Sequence, residues 1–154
     1  MSGRPILCID VESNSLHGKA FCVGVVVLDG NQTHSFRSRC PIEGDVDPWV
    51  KENVLPALAE VEQTHPDLRS LAVEFARWFA RHHHGCDVFV DCGYPVEMNF
   101  FAEVRRADSR FAPYPIHEVA TMFLAAGMDP DLNRDNFVLL RWDDVDIGEG
   151  KGSR

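Results

Sequence analysis

The sequence is short of positive charge, of paired cysteines and of long apolar runs. Its 154 residues carry 15 Lys and Arg against 24 Asp and Glu, a net charge of −9, so no overall positive field draws the chain to nucleic acid or to an anionic membrane. A nucleic-acid role therefore needs a local basic patch or a bound metal. No apolar stretch approaches the length of a bilayer span, and the N-terminal Met-Ser-Gly-Arg-Pro lacks a signal-peptide core; a cytoplasmic protein with no membrane partner is expected. The 5 cysteines, Cys8, Cys22, Cys40, Cys86 and Cys92, form no Cys-x-x-Cys pair. An odd count with three of them in apolar runs argues against a disulfide framework or a zinc site and for small core residues in a reducing compartment. No internal repeat or low-complexity segment is evident. The triplet His82-His83-His84 precedes Gly85. Three consecutive residues splay around a helix and cannot converge on one ion, whereas histidines suit a helix C-terminus closed by glycine.

What is present suffices for one core. A hydrophobic content of 45% over this length supports a single domain and is too short for two comfortable ones; the domain is expected to span residues 1–140, with 141–154 as a charged C-terminal tail. Ile6 to Ile9 reads as a buried strand. Ala20 to Leu28 reads as a second, ending at the hairpin signal Asp29-Gly30-Asn31, and His34 to Cys40 returns as a third. Asp47-Pro48 opens a short helix to about Val54, with Asp as N-cap. His65-Pro66 opens a longer one with Leu68, Leu71, Phe75, Trp78 and Phe79 at helical spacing. Asp87 to Cys92 is a strand. Pro95 starts a helix to about Ala107, with Val96, Phe100 and Val104 on one face. Tyr114 to His117 is a short strand, and Glu118 to Ala126 a helix stopped by Gly127. Three antiparallel strands followed by alternating helices and strands predict an α/β fold: a mixed sheet with helices on both faces.

The most informative residues are Asp10 and Glu12 in Pro-Ile-Leu-Cys-Ile-Asp-Val-Glu-Ser. Side chains two apart on a strand share a face, so both carboxylates are held close and repel unless neutralised. A hard divalent cation such as Mg²⁺ or Mn²⁺ does this through oxygen ligands; the plainer alternative is a strand ending in solvated acids at a turn.

On these residues and this order of elements, the chain resembles the DEDD-type 3'-5' exonucleases of the ribonuclease H-like superfamily. Their first motif is Asp-x-Glu at the end of the first strand, here Ile9-Asp10-Val11-Glu12-Ser13. Their second acid lies near the start of the helix after the fourth strand, usually in a segment ending Phe-Asp-x-x-Phe-Leu. Val96-Glu97-Met98-Asn99-Phe100-Phe101 occupies that place, with Glu97 for the usual aspartate. Asp91, ending Val88-Phe89-Val90-Asp91, competes for the role; Glu97 is favoured as ligand and Asp91 as a nearby helper. The third motif, a His or Tyr followed by an Asp on a late helix, is not found. Asp135, Asp143, Asp144 and Asp146 are available, but none follows a His or Tyr at suitable spacing. The tail from Gly148 begins about where that motif belongs, so the expectation is either a chain cut before its last helix or a site built differently. The likeness extends to about Gly127.

The resemblance implies hydrolysis of single-stranded RNA or DNA from the 3' end, with two Mg²⁺ or Mn²⁺ ions about 4 Å apart. Asp10 would bridge them, Glu12 would ligate one and meet the terminal 3' hydroxyl, and Glu97 or Asp91 would hold the other. His17 and Tyr94 are candidates to stack on a terminal base, and Arg105 and Arg106 with Arg110 to touch the backbone. A homodimer is also among the expectations. Two rivals differ in class: an inactive module of this fold that binds nucleic acid or a protein partner, and an endonuclease on the same scaffold.

Overall fold

Alternation governs the first strand. In β1 (Ile6–Ser13), Leu7, Ile9, Val11 and Ser13 are buried, Ile6, Cys8 and Asp10 are exposed, and Glu12 is half-buried. That is the period of two required when only one face meets a core. The computed structural model describes residues 4–131. The chain divides into two compact units, one up to Val119 and one from Ala120 onward.

In the first unit β2 (Ala20–Asp29) runs antiparallel to β1, and β3 (Gln32–Arg39) antiparallel to β2. Gly30 turns the hairpin with φ of 56°, a conformation glycine adopts without strain. β4 (Asp87–Val90) and β5 (Ile116–Glu118) add in parallel on the other side of β1, giving the order β3-β2-β1-β4-β5. The expected three-stranded meander and later strands are therefore present. The difference lies in β1, which continues past Ile9 because β2 pairs with it as far as Ser13 opposite Ala20. Asp10 and Glu12 thus lie within the strand, not at its mouth.

Each helix follows from its cap and its stripe. Asp47 Oδ1 accepts hydrogen bonds from the Trp49 and Val50 amides at 2.9 and 3.3 Å, starting a short wide-turned segment, Val50–Val54. Asp67, two residues beyond the expected His65-Pro66 start, caps α1 (Leu68–His82) by accepting from the Ser70 amide at 2.7 Å. The α1 stripe Leu71, Phe75, Trp78 and Phe79 is buried. At its far end His82 and His83 donate through Nδ1 to the carbonyls of Trp78 and Phe79, each at 2.8 Å, consistent with a histidine-rich C-terminus. α2 (Met98–Ala107) buries Phe100, Phe101 and Val104. It meets α1 at Phe75–Phe100, ring centroids 5.1 Å apart and edge-on.

Both helices cover the face of Leu7, Ile9 and Val11 in one apolar core. The expected helices on both faces are, within this unit, on one. The opposite face leaves Ile6 and Val26 exposed at 40% and 38%. Cys22, Cys40 and Cys86 are buried as expected, but Cys8 and Cys92 are exposed: Cys8 lies between exposed Ile6 and Asp10 in the row of β1 turned away from α1 and α2, and Cys92 follows the end of β4. In the second unit, α3 (Val119–Ala125) ends where Gly127, φ 74°, lets the Met128 amide reach the Phe123 carbonyl at 2.9 Å. Asp135, Asp143, Asp144, Asp146 and the tail lie outside the described residues. Among the described residues no helix is long and apolar enough to cross a membrane.

Phe75, fully buried and in ring contact with Phe36, Phe79, Phe100 and Phe111, is the keystone of this packing. Phe75→Ala is expected to cost about 3–5 kcal/mol in chemical denaturation; a loss below about 1 kcal/mol would contradict the packing described.

Candidate active site

The chain leaves β1 toward β2 on one side and returns to β4 on the other, so the carboxyl ends of parallel β1 and β4 form the topological switch point where open α/β sheets bind ligands. Ile9 lies opposite Val90, and Asp10 and Asp91 are the next residues along these neighbouring strands. Asp10 and Glu12 share the face of β1 turned away from α1 and α2, opposite Gly24 and Cys22 of β2. Glu97 arrives from a third segment, the wide turn Gly93–Glu97 between β4 and α2, and is buried at 5% exposure.

The acids lie within electrostatic reach of one another. Loss of hydration raises the Asp10 carboxyl, Asp91 adds repulsion, and a hydrogen bond from the Val11 backbone draws it partly back. Glu12 is pushed up to about 7 by burial and then by Asp10. Glu97 also reaches about 7, chiefly through burial, with Asp10 and Asp91 adding repulsion against backbone hydrogen bonds from Glu97 and Val11. Asp10 is the common neighbour. Among the described residues Asp10, Glu12 and Glu97 enter no ion pair. There, too, no three His, Cys, Asp or Glu side chains already converge as a cation cage. The acids are a mutually repelling set of hard oxygen donors. That donor chemistry suits Mg²⁺ or Mn²⁺.

Two local devices hold the acids, and neither is visible as a motif. After Glu12, the Asn14 side chain donates to the Asp45 carbonyl at 2.9 Å and accepts from the Asp47 amide at 2.8 Å. This ties the turn beyond β1 to the cap before Trp49. Gly18 closes the turn so tightly that a Cβ there would lie 1.6 Å from the Asn14 carbonyl oxygen. Before Glu97, the Gly93 amide donates to Glu118 Oε1 at 2.9 Å, and a Cβ on Gly93 would approach that oxygen to 2.8 Å. The polar run Ser13-Asn14-Ser15 signals a turn, but the Gly93–Glu118 pairing depends on the β4–β5 register.

The remaining expectations divide. His17 and Tyr94 are exposed, Tyr94 at 70%, on the turns that follow Glu12 and precede Glu97. Arg105 and Arg106 are exposed on the last turn of α2, but the cluster is largely neutralised: Arg106 pairs with Glu103 and Arg110 with Asp108. Phe21 is core, at 1% exposure. No family model matches the chain, and no curated protein does either.

The raised carboxyls set a pH dependence. Folded Glu12 and Glu97 hold protons to about pH 7, while unfolded they release them near 4.5. Their contribution to stability is therefore full below the lower value and is lost as pH rises through the upper one. In EDTA the Tm should fall between pH 5 and 7.5, and Glu97→Gln, which cannot ionise, should flatten the fall. An unchanged profile in the variant would contradict the burial argument.

Proposed function

We propose that the chain is a metal-dependent 3'-5' exonuclease of the ribonuclease H-like, DEDD type, hydrolysing phosphodiester bonds of single-stranded RNA or DNA. The observation that carries this reading is the gathering of Asp10, Glu12, Asp91 and Glu97 from three segments at the switch point of the sheet. The strand order supports a ribonuclease H-like fold, and the excess negative charge supports a need for cations.

Two divalent ions held by Asp10, Glu12 and Glu97 would supply an activated water and stabilise the entering and leaving oxygens. The chain's own part is positional. Asp10, shared by the other acids, fixes the centre. Glu12, half-buried on the face of β1 turned away from α1 and α2, would meet the terminal 3' hydroxyl. Glu97 is rigid because it is buried and because Glu118 pins the turn leading to it. Asp91, the residue after β4, would hold a water or accept its proton. Tyr94 and His17 flank the acids as exposed rings for a terminal base. The rival, a module of this fold that binds without cutting, draws on the loose spacing of the acids.

With Mn²⁺ or Mg²⁺, 5'-labelled single-stranded oligonucleotides should give a ladder shortening from the 3' end, reduced by about 100-fold or more in Asp10→Ala/Glu12→Ala. Nicking of a circular substrate would favour the endonuclease, and intact substrate under every condition would favour the binding module.

A further inference from the structure

We propose that Arg37 and Arg39 of β3 form a phosphate-binding track that carries a single-stranded nucleic acid along the sheet face opposite α1 and α2 to the acids. The inference rests on the exonuclease reading and names the residues that would let an acidic chain hold an anionic polymer.

The sheet register places them. Asp10 lies opposite Gly24, and Gly24 opposite Arg37; Glu12 lies opposite Cys22, and Cys22 opposite Arg39. Directly paired residues share a face, so two parallel rows cross three strands, each beginning with an acid and ending with an arginine. Two strand spacings separate the ends, about 10 Å, so a strand whose 3' end sits at Asp10 and Glu12 runs its preceding phosphates past the arginines. The middle of the first row is clear: Gly24 has no side chain, and nothing lies within 4 Å of where a Cβ would stand. The second row is buried at its middle, Cys22 being 4% exposed, so the open path follows the first row.

Both cations are uncommitted. Arg37 is exposed, and neither arginine joins an ion pair among the described residues. Arg39 Nε is buried and has no hydrogen-bond partner there. A buried donor left unmatched is costly, and a shift of the guanidinium toward a phosphate oxygen, which its planar fork suits, would relieve that cost. Four other cations are already paired: Arg4 with Asp87, Lys19 with Glu43, Arg106 with Glu103 and Arg110 with Asp108. The depression beside the start of α1 mixes Arg69 and Arg77 with Asp67 and Glu74 and offers no net positive surface.

The test is fluorescence anisotropy with 5'-fluorescein oligo-dT and oligo-U of about twelve nucleotides, within the usual span of a single-strand site. It uses the full chain carrying Asp10→Ala/Glu12→Ala, so that binding is read without hydrolysis, and wild type in EDTA as a second background. Adding Arg37→Gln/Arg39→Gln should weaken binding several-fold at low salt and make the log Kd against log salt slope shallower by about 1.4, from about 0.7 per lost contact. The charge-matched Arg69→Gln/Arg77→Gln should leave both unchanged. Exposed Arg37→Gln alone, expected to reduce the slope by about 0.7, carries the test if the double variant does not fold. Equal losses in both double variants, or no binding before any arginine is changed, would overturn the track. Cleavage that survives arginine-independent binding would sink the track and leave the nuclease standing. Arginine-dependent binding without cleavage would do the reverse.

Discussion

The strand β1 must serve two solvents, and the rest of the molecule is arranged around that demand. Its odd residues Leu7, Ile9 and Val11 lock the sheet to α1 and α2, while its even residues place Asp10 and Glu12 on the opposite face. A slip of one residue in its pairing would drive two carboxylates into an aromatic core centred on Phe75 and expel three aliphatic side chains. Register with β2 on one side and β4 on the other is thus fixed by the same hydrophobic pattern that positions the acids. Core and candidate site are two faces of one constraint.

The cost of that arrangement falls on the acids. Glu97 is buried where Asp10 and Asp91 repel it, and Glu12 is partly dehydrated beside Asp10. Backbone hydrogen bonds offset part of this, and protonation near neutral pH offsets more. The protein spends rigidity on keeping the set together: Asn14 fastens the turn after Glu12, Gly18 closes it, and Glu118 fastens the turn before Glu97. Local tightness around groups that repel each other keeps the acids from swinging into water, which the proposed cation site would require.

Much of the fold was legible because its signals are local. The hairpin at Gly30, the Asp47 cap, the α1 stripe and the glycine after α3 each depend on a few neighbouring residues. The length of β1 was not, since Asp10 and Glu12 are poor strand formers and become strand only through pairing with Gly24 and Cys22. Of the candidate acids, Asp10 and Glu12 were singled out by their spacing on β1, and Glu97 and Asp91 as competitors for the second acid that the resemblance implies. Arg37 and Arg39 were invisible in the sequence, because an arginine on an edge strand acquires meaning only when the register lays it in line with an acid two strands away. Arg105 and Arg106 looked more promising as a run, and the run concealed acids at helical spacing: Glu103 meets Arg106.

The central claim is that these acids together require a cation, and its most direct measurement is isothermal titration of Mn²⁺ into the metal-free full chain at neutral pH. Saturable binding that is lost in Asp10→Ala, and weakened in Glu97→Gln while that variant remains folded, is the predicted result. Absence of binding by the wild-type chain, or binding indifferent to Asp10, would contradict it.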